Sequence, residues 1–201
     1  MYIFSKKDLI NIIERVIVYQ FFPTPINIIS DLIDLGIIQD HDTILEPGAG
    51  QGDIIRRVKE CYPNTKITAV DIATEFVPHL NQAGADTIII QDLHSVNFDQ
   101  KFDKIICNPP FSDTQRFVEK CHSLLKENGK MAFLLRLSIF CGIKRYSFFK
   151  QYRPTEVHII SRRRGFNGNN VDSCGHAWAI FDNPITEYDT ILRWISPNVG
   201  E

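Results

Sequence analysis

The 201-residue chain has no apolar run close to the roughly 20 residues that a transmembrane helix requires. Its N-terminus does not resemble a secretion signal, because Lys6, Lys7 and Asp8 interrupt it and no small-residue cleavage site follows. The five cysteines are scattered, odd in number and without a CxxC pair, which argues against a disulfide framework or a zinc site. We therefore expect reduced core thiols, no metal, no membrane partner and a cytoplasmic protein.

The chain also lacks internal repeats, low-complexity tracts and Gly/Ser-rich linkers, which favours a single domain. Short apolar runs alternate instead with segments of helical periodicity. The predicted strands are Thr43–Leu45, Lys66–Val70, Thr87–Ile90, Phe102–Cys107, Lys130–Arg136, Glu156–Ile160 and Ala177–Phe181. Apolar strands separated by helices predict a doubly wound α/β fold, with a mostly parallel seven-stranded sheet and helices on both faces.

Capping residues predict where several helices begin and end. Thr24 is expected to cap a helix whose first residue is Pro25 and which closes at Gly36. Ser112 and Gln115 form a capping box for a helix that Gly129 would stop. Further helices are predicted over residues 6–19 and around Asp189–Ile195.

Charge is unevenly distributed along the chain, whose formal total is only −2. Between Arg136 and Arg164 there are eight basic residues and one acid, Glu156, so this stretch carries +7 and the rest of the chain −9. Such a polarised chain can present a phosphate-binding face. A solvated charged surface explains the same residues equally well.

Acidic residues and glycines cluster where the first three strands end. The first strand leads into a glycine-rich turn, Glu46–Gly52, in which the backbone can approach a ligand closely. Asp71 ends the second strand about 20 residues later, the spacing at which an acid meets a ribose diol. Asp92 ends the third strand, where it can accept from an adenine amino group. Each acid alone could be a turn residue or a helix cap, but their succession favours adenosine binding.

In this order the segments resemble class I S-adenosylmethionine-dependent methyltransferases. Glu46–Gly52 looks like their first motif, and Asp71 and Asp92 resemble the acids that bind ribose and adenine. Phe22–Pro25 is similar to the segment that contacts the methionine part of the cofactor, whose carboxylate a Thr24-capped helix would hold. The resemblance implies S-adenosylmethionine as cofactor, bound by Phe22, Thr24, Pro25, Glu46, Pro47, Gly48, Ala49, Gly50, Asp71, Ile72, Asp92, Leu93 and Asn108.

Asn108, Pro109, Pro110 and Phe111 follow the fourth strand and are the predicted catalytic residues. An isolated Asn-Pro-Pro is most often a turn. After the fourth strand of a methyltransferase-like sheet, however, the Asn108 side-chain oxygen and the Pro109 carbonyl could accept both hydrogens of an adenine amino group. This pairing localises the nitrogen lone pair for methyl transfer, the prolines keep the carbonyl direction rigid, and Phe111 offers a ring on which the base can stack.

Over residues 20–183 the order of segments is similar to bacteriophage-type and restriction-system DNA adenine-N6 methyltransferases. The resemblance implies phosphate contacts by Arg162, Arg163 and Arg164 and a second stacking partner for a flipped base in Phe166. Phe166 could equally be a loop aromatic packed on the core, and Trp178 is assigned to a core strand. The implied activity is methylation of adenine N6, in DNA in preference to RNA, in a bacterial or phage-infected host cell.

We expect one methyltransferase domain over 1–201, with a helical extension over 1–36, a catalytic core over 42–183 and a C-terminal helix within 184–201. A separate target-recognition domain is not expected, so specificity would come from loops 138–154 and 161–176, or from a partner or homo-oligomer, or else would be low. Two alternatives remain open: a protein glutamine-N5 methyltransferase, since release-factor methyltransferases use a similar Asn-Pro-Pro-aromatic motif, and a nucleic-acid-binding subunit with an inactive cofactor site.

Overall fold

Strands and helices alternate along the chain as the sequence predicts. The computed structural model describes residues 22–161, 174–185 and 189–196. The strands are β1 (Thr43–Pro47), β2 (Lys66–Asp71), β3 (Thr87–Ile90), β4 (Phe102–Cys107), β5 (Leu125–Arg136), β6 (Glu156–Ile160), β7 (His176–Asp182) and β8 (Ile191–Ile195). The α-helices are α1 (Ile26–Asp34), α2 (Asp53–Cys61), α3 (Val77–Ala83), α4 (Thr114–Ser123) and α5 (Ile143–Gln151). Within these ranges no helix has the length and apolar character needed to cross a membrane.

All eight described strands belong to one sheet, in the order β3-β2-β1-β4-β5-β7-β6-β8. β7 runs antiparallel to its neighbours β5 and β6, and the other neighbouring strands pair in parallel. The predicted Rossmann-like α/β fold is confirmed, but the sheet has eight strands and is mixed. Because the strand order reverses between β1 and β4, a crevice for a ligand forms at their carboxyl ends.

The predicted C-terminal helix around Asp189–Ile195 is wrong, because this segment forms β8. Its Ile, Leu and Trp side chains suit an extended strand, and the edge of β6 offers unpaired backbone groups with which it pairs in parallel. The Arg193 side chain adds an ion pair to Glu156, with 2.9 Å between Nε and Oε2. Pairing with β6 thus provides hydrogen-bond partners for the backbone of this segment, whereas a short exposed helix would have relied on its internal hydrogen bonds alone.

Two predicted helix boundaries also differ from the structure. The helix that follows Asn108–Phe111, the reaction loop, begins at Thr114. Asp113 holds the cap position, so Ser112 and Gln115 do not form the predicted capping box. Gly129 does not stop this helix, because the chain has already entered β5 at Leu125, which pairs with Phe102 of β4. Pairing with β4 evidently outweighs the helical signal of this polar segment.

Thr24 is not the cap of α1, since Pro25 occupies that position without a capping side chain. The Thr24 hydroxyl is used elsewhere, as an acceptor for the side-chain amide of Asn108. Gly36 follows the end of α1 in the left-handed conformation (φ +66°), as its position predicts. The predicted helix over 6–19 and residues Arg162, Arg163, Arg164 and Phe166 lie outside the described residues.

The cysteines divide into buried and exposed thiols. Cys107 and Cys121 are fully buried, and burial raises the pKa of both thiols above the ordinary value of 9.0. Cys61 and Cys141 are exposed, so the prediction of core positions holds for only some of the five. All five lie within the described residues, and none of them forms a disulfide.

Two apolar layers, one on each face of the sheet, form the core. The first packs α1, α2 and α3 against the sheet, and the second packs α4 against the opposite face. Trp178 in β7 is fully buried in the first layer, as predicted for a core strand. Its indole Nε1 donates to the Ile28 carbonyl of α1 at 2.9 Å, so a polar contact as well as apolar area fixes this helix on the sheet.

We predict that Trp178→Phe lowers the free energy of unfolding by about 1–3 kcal/mol, because it removes a buried hydrogen bond and leaves a small cavity. Urea denaturation followed by far-ultraviolet circular dichroism measures the change. Trp194, which is 65% exposed in β8, supplies the matched control. Trp194→Phe should change stability by less than about 0.5 kcal/mol, and equal effects of the two substitutions would contradict this role of the indole N–H.

Candidate functional site

A cavity of about 410 Å³ opens at the carboxyl ends of β1, β2 and β4, the position expected at a topological switch point. Eleven of the residues predicted for the cofactor line it: Phe22, Thr24, Glu46, Gly48, Ala49, Gly50, Asp71, Ile72, Asp92, Leu93 and Asn108. Asn108 belongs to the predicted reaction centre as well, and Pro110 of that centre also lines the cavity. Residues far apart in sequence are therefore brought to one cavity.

The glycine-rich turn forms one wall of the cavity between β1 and α2. Gly48 and Gly52 both have positive φ, +68° and +73°, which glycine adopts without strain. A Cβ on Gly52 would also come within 2.7 Å of the Ala83 Cβ in α3. Gly52 therefore serves both the turn conformation and the packing of α2 against α3.

Asp71 and Asp92 each combine a role in a turn with a place on the cavity wall. The carboxylate of Asp71 accepts from the backbone N–H groups of Gly50 (2.8 Å) and Ala73 (2.9 Å), which ties the end of β2 to the glycine turn. Burial nevertheless raises the pKa of Asp71 above its ordinary value of 3.8. Asp92 accepts from the His94 N–H at 3.0 Å and caps a single 3₁₀ turn. Carboxylate oxygens can accept further hydrogen bonds, so these turns are compatible with ligand binding.

Glu46 is the buried acid of the cavity, with 3% of its surface exposed. Its Oε2 has no hydrogen-bond partner among the described residues. Burial first, then the charges of Asp53 and Asp71, raise the pKa of this carboxyl well above its ordinary value of 4.5. An unpaired buried carboxylate is costly, and a cationic group placed in the cavity would relieve that cost.

The charges along the cavity wall fit a cationic ligand. The lining contains five acids and one arginine, namely Glu46, Asp53, Asp71, Asp92, Asp113 and Arg116. S-adenosylmethionine carries two positive groups, a sulfonium and an ammonium. The orphaned Glu46 oxygen suits one of these groups, and the acids at the ends of β2 and β3 suit hydroxyl and amino donors of an adenosine.

Asn108 is held in a defined orientation beside the cavity. Its Nδ2 donates to the Phe22 carbonyl and to the Thr24 hydroxyl, both at 3.1 Å. Both amide hydrogens are therefore directed at the segment before α1, and the Oδ1 atom remains as an acceptor. Phe22 and Thr24 therefore have two roles: they hold the Asn108 side chain in place, and they form part of the cavity wall.

The two prolines of the reaction loop have different surroundings. The Pro110 carbonyl accepts from the Asp113 N–H (3.1 Å) and the Thr114 hydroxyl (3.2 Å), so it belongs to the start of α4. Within the described parts of the chain, no group donates to the Pro109 carbonyl. The Asn108 side chain and the Pro109 backbone therefore present acceptors next to each other.

Phe111 lies beyond the cavity lining and is already in contact with two side chains. The guanidinium carbon of Arg136 lies 3.6 Å from the ring centroid, a cation–π stack. The Phe22 ring packs at 5.2 Å between centroids and is tilted by 39°. Arg136 thus occupies one face of the ring on which the sequence predicts a base to stack.

Some predicted residues lie outside the cavity lining, and some residues of the lining were not predicted. Pro25, Pro47 and Pro109 do not line it; the Pro47 carbonyl accepts from the Cys107 thiol at 3.0 Å. His94 and Asp113 pair at 2.7 Å on its wall, and Asp113 also meets Arg116 at 3.2 Å. For the described residues only, no group of three His, Cys, Asp or Glu side chains is arranged to hold a metal.

Residues 44–129 match the methyltransferase domain family. A type II methyltransferase from Paramecium bursaria Chlorella virus XZ-6E is 32% identical over 157 residues, which are 64% of this chain and 40% of the relative. A tRNA1(Val) (adenine(37)-N6)-methyltransferase from Vibrio parahaemolyticus is 29% identical over 122 residues, or 47% and 51% of the two chains. A malonyl-[acyl-carrier protein] O-methyltransferase from Ilyobacter polytropus is 32% identical over 97 residues, or 45% and 36%.

The chain spans only 36–51% of the length of these three curated relatives. Among solved structures, a Listeria monocytogenes protein described as a class I S-adenosylmethionine-dependent methyltransferase superposes with a TM-score of 0.65. The superposition covers 95% of this chain and 72% of the other at 15% identity, so it shows the fold alone. The matched methyltransferase family gives S-adenosylmethionine as the cofactor, and the acids that line the cavity fit its two positive groups.

We predict that Glu46→Gln stabilises the cofactor-free protein at neutral and alkaline pH. The folded-state pKa of Glu46 is raised above its unfolded value, so its contribution to stability is full below about pH 4.5 and is lost as pH rises toward the folded-state pKa. Urea unfolding of wild type and variant should therefore differ most at high pH and converge near pH 4.5. A difference that is independent of pH would contradict the prediction.

The same substitution should weaken S-adenosylmethionine binding by about 10- to 100-fold, the usual range for losing a hydrogen bond to a charged group. Isothermal titration calorimetry measures this affinity. Glu119→Gln, on the exposed face of α4, is the matched control and should leave affinity and stability unchanged.

Proposed function

We propose that this chain is a class I S-adenosylmethionine-dependent methyltransferase that methylates the exocyclic N6 amino group of adenine in a nucleic acid, with DNA favoured over RNA. Its residues 44–129 match the methyltransferase domain family. One observation carries the proposal. The Asn108 amide donates both hydrogens to the Phe22 carbonyl and the Thr24 hydroxyl, which leaves its oxygen to accept from a substrate N–H.

The chemistry of the reaction loop suits a planar nitrogen with two hydrogens. The lone pair of an adenine amino group is delocalised into the ring, so the nitrogen is a poor nucleophile. When the Asn108 oxygen and the Pro109 carbonyl accept its two hydrogens, the nitrogen moves toward tetrahedral geometry and its lone pair localises. Bound S-adenosylmethionine supplies the electrophilic methyl group on its sulfonium. Because both acceptors are fixed before substrate binds, little reorganisation is needed in the transition state.

Phe111 and Arg136 bear on where the base would lie. Arg136 covers one face of the Phe111 ring, so a base that stacks on Phe111 must use the remaining face or displace the guanidinium. Planar guanidinium and aromatic groups both stack on nucleobases, so either arrangement suits a purine. The predicted second stacking residue, Phe166, and the predicted phosphate contacts, Arg162–Arg164, remain predictions.

The relatives are consistent with a nucleobase but include other substrates. One relative is named for adenine-N6 methylation of a tRNA, and another for O-methylation of a malonyl-carrier protein. Paired acceptors for two N–H groups favour an amino or amide nitrogen over a carboxyl oxygen, which has no such hydrogens to donate. A glutamine side chain in a protein carries the same kind of nitrogen and is the alternative substrate.

Product analysis distinguishes these substrates. The protein is incubated with methyl-labelled S-adenosylmethionine and duplex DNA, single-stranded DNA, RNA or a release factor, and the products are digested and separated. We expect label in N6-methyladenine, with more in DNA than in RNA. Label in glutamine, or at another position of a nucleobase, would reject the proposed target.

We predict that Asn108→Ala lowers kcat on adenine by roughly 10²- to 10³-fold, because it removes a preorganised acceptor from the transition state. The affinity for S-adenosylmethionine should stay within about threefold of wild type, since Asn108 contributes little to the cavity charge. Single-turnover rates and calorimetric titrations measure the two quantities. A variant with wild-type turnover would rule out this role for Asn108.

Thr24→Val tests whether the orientation of the Asn108 side chain matters for catalysis, because it leaves Asn108 itself in place. Valine has nearly the volume of threonine but cannot accept from Nδ2, so the amide would keep one of its two partners, the Phe22 carbonyl. We expect roughly a tenfold loss of kcat, the effect of one lost hydrogen bond of about 1.4 kcal/mol. Thr190→Val, distant in the fold and hydrogen-bonded to the Pro154 carbonyl, should leave kcat unchanged.

A further inference from the structure

Helix α5 presents apolar side chains to solvent. None of its nine residues is buried, and Ile143 and Tyr146 are 93% and 71% exposed. Ile143, Tyr146 and Lys150 are spaced three and four residues apart, so they lie along one face of the helix. Ile143 and Tyr146 therefore form a small exposed apolar patch one turn long, next to the charged head of Lys150.

The opposite side of α5 is anchored to the protein. Phe149 packs on Phe140 with 5.0 Å between ring centroids, and Tyr152, directly after the helix, packs on His122 of α4 at 5.5 Å. Arg145 Nη1 donates to the Ser138 carbonyl at 2.7 Å and so fastens the first turn of the helix. The exposed face therefore has a fixed position and direction.

Charge around this helix is of one sign. Residues 136–155 contain five basic residues and no acid in a chain whose formal charge is −2. Lys144 and Lys150 are exposed and form no ion pair with any described residue. Unpaired lysines beside exposed apolar side chains complement a polyanion that also has stacking surfaces.

The helix also follows closely after Arg136, the residue that contacts the reaction loop. Arg136 ends β5 and stacks on Phe111, and α5 begins seven residues later. A single 3₁₀ turn, Leu137–Phe140, connects the two. The basic segment therefore runs from the reaction loop to the exposed face of α5.

We propose that the face formed by Ile143, Tyr146 and Lys150, the α5 face, together with the exposed Lys144 beside it, is the docking surface for the nucleic-acid strand that carries the target adenine. The lysines contact phosphates, and Tyr146 and Ile143 pack against bases or between base steps. The inference rests on the proposed function, and it assigns strand binding to a helix within the described chain.

Fluorescence anisotropy of a 5′-fluorescein-labelled oligonucleotide, as duplex and as single strand, tests the proposal. Ile143→Ser with Tyr146→Ser should raise the Kd about tenfold, the size expected for losing one stacked base. Lys144→Gln with Lys150→Gln should reduce the slope of log Kd against log salt by about 1.8 on duplex, since each phosphate contact contributes about 0.9. A change of salt slope reports lost phosphate contacts, which a purely structural role of the lysines would not alter.

Two controls match the substitutions in chemistry but not in place. Trp194→Ser removes an exposed aromatic from β8, and Lys101→Gln removes an exposed lysine at the amino end of β4, away from the reaction loop. Both should bind the oligonucleotides as the wild type does. Vesicles containing anionic lipid serve as a second probe, and binding to vesicles without binding to oligonucleotides would overturn the proposal in favour of a membrane surface.

Methylation measured in parallel separates failure of this inference from failure of the proposed function. If wild type methylates adenine and the α5 variants bind and methylate equally well, the docking surface is wrong and the function stands. If wild type binds oligonucleotides through the α5 face but methylates no adenine, the docking surface stands and the function is wrong.

Discussion

The two hydrogen bonds from the Asn108 amide determine what the reaction loop can present to a substrate. They join the carboxyl end of β4 to Phe22 and Thr24, which lie 86 and 84 residues earlier in the chain. An amide side chain has one donor end and one acceptor end, so committing the donors fixes the acceptor. The segment before α1 is itself positioned by α1, whose Ile28 carbonyl accepts from the buried Trp178 of β7. The direction of the Asn108 side-chain oxygen thus depends on contacts that link β4, α1 and β7.

The cavity beside this amide contains a buried carboxyl group whose unfavourable burial a cationic ligand would offset. Glu46 is buried without a partner for Oε2, and the neighbouring Asp53 and Asp71 disfavour its charge further. Such an arrangement lowers the stability of the empty protein at neutral pH. A cation in the cavity would pair with Glu46. The buried carboxyl therefore lowers the stability of the protein without its cofactor and raises its affinity for a cationic cofactor.

Local patterns predicted the strands well and the contacts between them poorly. The bounds of β3, β4 and β6 follow directly from short apolar runs between turn residues. Gly129 and Asp189–Ile195 were assigned wrongly, because pairing with β4 and β6 overrode their local preferences. The Arg136–Phe111 stack could not be predicted from either residue alone, since it depends on β4 and β5 being neighbours. Thr24 was likewise predicted to cap a helix, because its contact with Asn108, 84 residues later in the chain, is not visible in the local sequence.

The reaction loop lies between an acidic cavity and a basic segment, and this arrangement suits two substrates of opposite charge. A cationic cofactor and a polyanionic nucleic acid attract each other, and a uniformly charged protein would repel one of them. Here the acids line the cavity, whereas the bases lie along Arg136 and the exposed face of α5. Phe111, between Phe22 of the cavity wall and Arg136, stands at the boundary of these two regions. The net charge of −2 is therefore the sum of an acidic cavity and a basic segment, and this distribution of charge suits a reaction that brings a cationic cofactor and a polyanion together.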